Sequence, residues 1–281
     1  MKWEDRGRSE NLQDRRRVSG PRRAGIPLGI GGVLLVFAIS ALTGIDLSSL
    51  FGMSPSTPAQ QSPVSEQELA AEEEQVRFVS FVLDDVQATW EQLVTGGSYP
   101  DATLVLYRDA VQSGCGVAPA AAGPFYCPND TSVYVDLSFY DTLRERYGAP
   151  GDFAQAYVIA HEIGHHVQNI VGTLGDIRSA QQAQPNSANE LSVALELQAD
   201  CYAGVWAASA DERGILERGD LEEGLGAAAA VGDDRLSSQA GRSVNQETFT
   251  HGSSEQRMRR FTTGFQGGDP ASCDTFTATG F

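Results

Sequence analysis

The sequence predicts a helix-rich α+β domain preceded by one transmembrane helix. Apolar residues that recur at spacings of three and four indicate several helices, and two short alternating segments indicate a small sheet. One uncharged run, residues 26–45, is long enough to cross a hydrocarbon core of about 30 Å. The chain is therefore divided into a basic tail (1–25), this apolar run, a Pro/Ser/Gln-rich linker (46–64) and a folded domain (65–281).

The folded domain begins at a capping box. Ser65 and Glu68 form this pattern ahead of an amphipathic helix that is predicted to end at Gly96–Gly97. Strands are predicted within residues 102–111 and 132–140, which alternate and are rich in β-branched and aromatic residues. Three further helices are predicted: one between Asp152 and Gly172, one from Ser187 with Glu190 completing a capping box, and one beginning near Ser253.

Charge is distributed unevenly along the chain. Residues 1–25 hold eight basic and four acidic side chains, whereas the whole chain has a net charge of −17. Such an acidic body disfavours nucleic-acid binding. The basic flank before residues 26–45 predicts a single-pass protein of the cell membrane, with a cytoplasmic N-terminus and an extracytoplasmic domain. A cleaved signal peptide is the alternative, but its apolar region is usually only about 7–15 residues long. We therefore expect a retained anchor.

Four cysteines fit an oxidising compartment, where an even number usually forms disulfides. Three pairings are possible for Cys115, Cys127, Cys201 and Cys273. The first two enclose a short segment rich in Gly and Pro and can close locally, which leaves Cys201 to pair with Cys273. A zinc knuckle is the competing interpretation, but the chain contains no C-x-x-C spacing.

The segment "HEIGH" (161–165) lies in the apolar helix predicted after Asp152. On a helix His161 and His165 project from adjacent turns of one face and can bind one metal ion together. Glu162 can then reach a water molecule on that metal, as in the H-E-x-x-H pattern of zinc peptidases. A chance occurrence of this short motif is the alternative. His166 points away from the pair, so we expect it to make packing or solvent contacts.

A third ligand must come from elsewhere in the chain. Gln168 and Val171 occupy the positions where a metzincin has Gly and His, which excludes that class. The next predicted helix offers Glu196 and Asp200, one turn apart, so that one can bind the metal and the other can accept the far ring N–H of a ligand histidine. Because Glu190 already has a capping role, we assign Glu196 as the ligand and Asp200 as the supporting carboxylate. The alternative is that both only solvate an exposed face.

Several segments in order resemble the bacterial putative neutral zinc metallopeptidase family, whose members are membrane-anchored with a zincin-like domain. They are "HEIGHHVQN", "ELQADCYAGVWA", "GCG…GPFYCP…VYVDLSFY" and "FTHGSSEQR", and the resemblance covers about Phe78 to Phe276. The Glu-x-x-x-Asp pair also resembles that of the thermolysin-type gluzincins. The resemblance implies one Zn²⁺ held by His161, His165 and Glu196, with Glu162 as general base and Asp200 supporting His161.

The predicted activity is hydrolysis of peptide bonds in a peptide or protein substrate by metal-activated water, with Glu162 as the base. His251, in the loop "FTHGSS", is the candidate donor to the oxyanion, with Tyr202 and Tyr134 as alternatives; His251 could also be an ordinary loop residue. A zinc-stabilised binding or scaffold domain without turnover is the second hypothesis. A membrane adaptor with a chance motif is the third. No feature of the sequence indicates a particular oligomeric state.

Overall fold

The computed structural model describes residues 1–17, 65–94 and 98–277, in which helices pack against one face of a small mixed sheet. The predicted helix-rich α+β class is confirmed. The strands are β1 (Leu12–Asp14), β2 (Thr103–Tyr107), β3 (Ala110–Ser113), β4 (Gly116–Pro119), β5 (Phe125–Cys127) and β6 (Ser132–Asp136). The helices are α1 (Glu66–Ala71), α2 (Glu73–Leu93), α3 (Ser138–Glu145), α4 (Asp152–Ile170), α5 (Thr173–Ala183), α6 (Ala188–Glu212), α7 (Asp220–Ala230), α8 (Asp233–Gln239) and α9 (Ser254–Gly267).

The main sheet has the order β1-β2-β6-β5. Strands β1, β2 and β6 run parallel, and β5 pairs antiparallel with β6 at the edge. Strands β3 and β4 form a separate antiparallel hairpin. The predicted strand over residues 132–140 is too long, because the Asp136 carboxylate accepts the N–H of Ser138 and the chain turns there into α3.

The N-terminal segment, residues 1–17, packs on the domain, although the sequence predicted a separate basic tail for residues 1–25. Its strand β1 pairs with β2, and Trp3 packs against Phe78 of α2 with ring centroids 5.5 Å apart. Arg16 is buried between Asp14 and Glu72. The Met1 ammonium lies 2.8 Å from Asp152. Strand pairing, aromatic packing and ion pairs together place this segment in the same folded unit as residues 65–277.

Helix boundaries agree with the sequence prediction where a side-chain cap is present. The capping box at Ser65 is confirmed, and a second one at Ser253 begins α9. Ser187 makes no side-chain cap, so the box predicted there with Glu190 is wrong. The first predicted helix is divided at Glu72, whose side chain bonds Arg16 and Arg108.

Helices α4, α6 and α9 pack closely because glycines stand where they meet. A Cβ on Gly164 of α4 would lie 3.1 Å from the Cα and carbonyl oxygen of Ala199 in α6. A Cβ on Gly264 of α9 would lie 1.9 Å from the carbonyl oxygen of Cys201. Helix α6 can therefore approach α4 on one side and α9 on another, which brings polar side chains of the three helices together.

No helix within the described residues is both long and apolar enough to span a bilayer. The predicted transmembrane helix (26–45), the predicted linker (46–64) and the last part of the predicted tail lie outside the described residues.

Candidate metal centre

Helix α4 presents His161 and His165 toward Glu196 of α6. The Nε2 atom of His161 lies 3.2 Å from one carboxylate oxygen of Glu196, and the Nε2 atom of His165 lies 3.5 Å from the other. One ligand atom from each of the three residues lies within 4.8 Å of the other two. The spacing of four residues on α4 and the close approach of α6 at Gly164 produce this convergence.

The outer nitrogen of each imidazole is held by a polar side chain. His161 Nδ1 lies 2.9 Å from an oxygen of Asp200, and His165 Nδ1 lies 2.8 Å from the Gln168 amide oxygen. Because both partners accept hydrogen bonds, each Nδ1 carries a proton and each Nε2 is the atom directed toward Glu196, where a metal would displace any proton from it. This is the ring orientation that a metal-binding histidine requires.

The donor set fits a zinc ion. Two imidazole nitrogens and one carboxylate are a frequent protein ligand set in catalytic zinc sites, which keep a further position for water or substrate. Burial opposes the charge of Glu196, but His165 and His251 lower the pKa of its carboxyl well below the ordinary range. An ionised carboxylate next to two imidazole Nε2 atoms is a donor set that suits a divalent cation.

Arg257 and Tyr157, which the sequence analysis missed, support His161 indirectly through a buried hydrogen-bond network around Asp200. Arg257 of α9 donates two hydrogen bonds of 2.9 Å to Asp200, and the Tyr157 hydroxyl donates a third to the same carboxylate. Arg257 and Asp200 have 3% and 0% of their side chains exposed. The one available sequence signal was the position of Tyr157, one helical turn before His161.

Glu162 is buried but lines the cleft that opens beside the histidines. Burial raises the pKa of its carboxyl above the ordinary value, while the neighbouring imidazoles of His161 and His165 oppose this shift. A carboxylate with a raised pKa is a better proton acceptor than one in water. The position and the environment of Glu162 both suit a general base.

His251 also lines the cleft, in the loop before α9. Its Nδ1 lies 3.3 Å from Asp233, whose other oxygen accepts the backbone N–H groups of residues 250–252. Burial lowers the pKa of His251, but Glu196 and Asp233 raise it above its ordinary value. The ring is therefore held with Nε2 available to the cleft. The alternatives to His251 are used elsewhere: the Tyr134 hydroxyl donates to Asp130, and Tyr202 packs against Trp90.

The cleft walls are mainly apolar and come from both sides of the metal centre. One side contains strand β5, at the edge of the main sheet, and the turn before it. Large apolar and aromatic side chains line the cleft: Phe125, Tyr126, Phe139, Tyr147, Leu174, Leu195 and Leu236. This arrangement can accommodate apolar side chains beside the histidines.

His166 and the four cysteines are the remaining residues that the sequence analysis discusses. His166 is fully buried and lies between the Tyr126 hydroxyl (2.9 Å) and the Pro100 carbonyl (2.7 Å), so it joins α4 to the cleft wall. The predicted disulfides Cys115–Cys127 and Cys201–Cys273 are confirmed. The second of these ties the C-terminal segment to α6, one residue after Asp200.

An α+β fold with an H-E-x-x-H helix, a carboxylate from a following helix and a cleft beside them has the parts of a candidate metal centre. The chain belongs to the family described as Putative neutral zinc metallopeptidase, whose sequence profile matches residues 1–276. Zinc and peptide hydrolysis are thus the metal and the activity that the family name implies.

Bacterial relatives cover much of the chain. Uncharacterized protein YpfJ of Escherichia coli K12 is 46% identical over 98% of this chain and 99% of its own length. Uncharacterized protein Rv2575 of Mycobacterium tuberculosis H37Rv is also 46% identical, over 69% of this chain and 68% of its own length. No solved structure matches the chain.

Proposed function

We propose that this protein is a zinc-dependent peptidase that cleaves polypeptide chains in the cleft beside His161 and His165. The observation that carries the proposal is the convergence of His161, His165 and Glu196, with Glu162 at the same cleft. His161, His165 and Glu196 would hold one zinc ion. A bound zinc ion would act as a Lewis acid, which polarises the scissile carbonyl and makes water acidic.

Glu162 and His251 supply the proton transfer and the hydrogen bond that hydrolysis needs. Glu162 accepts a proton from the attacking water and returns it to the leaving amine, which would otherwise depart as an unstable anion. His251, held by Asp233, donates from Nε2 to the oxygen of the scissile carbonyl as negative charge develops there. Asp200 and Gln168 keep the two imidazoles in the orientation that directs each Nε2 toward Glu196.

An extended, apolar stretch of polypeptide is the substrate class that suits the cleft. Within the described part of the chain, strand β5 is an edge strand that pairs with β6, and it forms part of the cleft wall. A substrate strand can add to such an edge through backbone hydrogen bonds, while its side chains enter apolar pockets. The aromatic and aliphatic lining supports a preference for apolar residues near the scissile bond.

The proposal is tested with the full-length protein and two substitutions in α4. His161→Ala should lose bound zinc and should no longer cleave an unfolded protein with apolar segments, because the change removes a metal ligand. Glu162→Gln should retain about one zinc per chain and lose about 10²- to 10⁴-fold in activity, the usual contribution of a general base. A wild-type protein that binds zinc but cleaves nothing would instead support the hypothesis of a zinc-stabilised binding domain. Full activity in Glu162→Gln would refute the assignment of the base.

We further propose that the domain works outside the cytoplasm and that residues 1–17 lie on the same side of the membrane as the metal centre. Both disulfides support the first part. The pairing of β1 with β2 supports the second. A single crossing by residues 26–45 would put a bilayer between these two strands, so this pairing favours an N-terminus on the same side as the domain over the predicted cytoplasmic one. The apolar run remains the reason to propose membrane attachment.

Cysteine labelling in intact cells tests this arrangement. Arg6→Cys and Glu145→Cys are matched probes, since both native side chains are 72% exposed. All four native cysteines are in disulfides and do not compete for the label. A membrane-impermeant maleimide should label both variants before lysis. Labelling of Glu145→Cys alone would place residues 1–17 on the opposite side.

A further inference from the structure

The two histidines of the metal centre are supported in different ways. His161 is held by a carboxylate, Asp200, which is itself paired with Arg257. His165 is held by a neutral amide, that of Gln168. An amide side chain on a single bond can rotate and exchange its oxygen for its nitrogen, so Gln168 supports His165 only if its orientation is fixed.

Contacts with α6 fix the orientation of Gln168. Its side chain is fully buried, and its Nε2 donates to the Leu195 carbonyl at 2.8 Å and to the Gln198 amide oxygen at 3.0 Å. Rotation of the Gln168 amide by half a turn would direct its Nε2 donor at the N–H donor of His165. Its oxygen would then face two other acceptors, the Leu195 carbonyl and the Gln198 amide oxygen. The orientation that accepts the proton of His165 Nδ1 is therefore strongly favoured.

Gln198 is fixed in the same way by the C-terminal segment. Its Nε2 donates to the Cys273 carbonyl at 3.2 Å, so its oxygen is left to accept from Gln168. Cys273 is held on α6 by its disulfide with Cys201, and Thr275 bonds the Ala194 carbonyl at 2.7 Å. The hydrogen bonds therefore run in one direction. His165 donates to Gln168, Gln168 donates to the Leu195 carbonyl and to Gln198, and Gln198 donates to the Cys273 carbonyl.

We propose that Gln168 and Gln198 are positioning residues that fix His165 for metal binding, and that the disulfide-bonded C-terminal segment holds the outer end of this amide pair. The proposal rests on the proposed zinc site but requires no turnover. It predicts that zinc affinity depends on two glutamines that contact no metal and line no part of the cleft.

Substitution of Gln168 by leucine tests the first step, with Gln181→Leu as the matched control. Gln181 is also buried, and its Nε2 donates to the Ala188 carbonyl and the Ser192 hydroxyl of α6, but it contacts neither histidine. Gln168→Leu should weaken zinc binding about 10- to 100-fold in competition with a chromogenic chelator, the usual effect of losing a support of a ligand. Gln181→Leu should bind zinc like the wild type, although both variants lose buried hydrogen bonds and unfold more readily.

The visible spectrum of the Co²⁺-loaded protein separates positioning from general stability. It should change in Gln168→Leu, because the His165 ring is no longer fixed, and remain unchanged in Gln181→Leu. Gln198→Leu should give a smaller loss of zinc affinity, since Gln168 keeps its bond to Leu195. Equal zinc affinity in Gln168→Leu and the wild type, or an equal loss in Gln181→Leu, would overturn the proposal. A wild-type protein without zinc affinity would instead refute the proposed function.

Discussion

The metal centre and the N-terminal segment both bury arginine beside carboxylates, but they differ in access to water. At the centre Asp200 and Arg257 are 0% and 3% exposed. In the N-terminal segment Arg16 is 1% exposed, but its partners Asp14 and Glu72 are 19% and 25% exposed. Water can solvate the carboxylates of the second cluster when a partner is lost, whereas it cannot reach Asp200. Removal of one partner of an ion pair should therefore lower the free energy of unfolding more at the metal centre than in the N-terminal segment.

The largest effect is expected for Asp200→Asn. This change leaves the Arg257 guanidinium buried without a negative partner, which typically costs about 3–5 kcal/mol of stability. It also weakens the support of His161, which should reduce zinc affinity about 10- to 100-fold. Chemical denaturation of the zinc-free protein and chelator competition measure the two effects separately.

Asp85→Asn provides the matched control for this prediction. Asp85 pairs with Arg213, which is 41% exposed, and lies away from the histidines. Its loss should cost less stability and leave zinc affinity unchanged. If Asp200→Asn and Asp85→Asn cost the same, burial does not distinguish the two kinds of ion pair.

His251→Ala should have the next largest effect, at the part of the centre that faces the cleft. Loss of one donor to a developing oxyanion typically reduces kcat by about 10²- to 10³-fold. Zinc affinity should change little, because His251 is not among the three convergent ligand residues. His251→Gln, which keeps an N–H donor, should recover part of kcat. An equal fall in zinc affinity in both variants would show that His251 acts on the metal site instead.

The structure brings together the residues that the sequence predicts as ligands, and each pair of them could be recognised because helix geometry is local. A helix places residues four apart on one face, so His161 with His165 and Glu196 with Asp200 are defined once the two helices are recognised. The residues that hold these side chains in place are harder to recognise from the sequence. Arg257 lies in a helix with other arginines, at 259 and 260, and no local pattern distinguishes the buried one. Gln168 resembles any polar residue on a helix until its partners on α6 are known.

Sequence alone did not predict the docking of residues 1–17, for the opposite reason. Strand β1 has only three residues, Leu12–Asp14, and its parallel partner β2 lies about ninety positions later in the chain. A strand this short carries no alternation that could be recognised. The sequence presents the arginines just before residues 26–45 as a topology signal. In the structure Arg8, Arg16 and Arg17 also form ion pairs with α1, α2 or the residue between them.

Arg16→Met tests how strongly the N-terminal segment is held. Arg16 lies 2.7 Å from both Asp14 and Glu72, so its removal should destabilise the protein by about 2 kcal/mol, less than at the centre because both carboxylates regain water. Zinc affinity should be unchanged. The neighbouring Arg17 is 65% exposed and pairs with an exposed Glu66, so Arg17→Met should change stability by less than about 1 kcal/mol. A loss of zinc in Arg16→Met would show that the segment supports the metal centre.

The smallest effect is a pH dependence of stability that comes from Asp14. Burial alone would raise the pKa of its carboxyl, but the hydrogen bonds and charge of Arg16, with the charge of Arg8, lower it to about 2 from an ordinary value of 3.8. A carboxyl with a lowered pKa stabilises the folded state above its unfolded pKa, and this contribution is lost as pH falls through the folded value.

The stability difference between wild type and Asp14→Asn should therefore be constant above about pH 5 and shrink between about pH 4 and pH 2. Denaturant titrations at several pH values measure this difference. The same comparison in an Arg16→Met background is the control, because the main source of the lowered pKa is then absent and most of the pH dependence should disappear. A pH-dependent difference that persists undiminished without Arg16 would mean that Asp14 is stabilised by groups other than its arginine partner. The N-terminal segment would then be held by something other than the ion pairs that distinguish it from the metal centre.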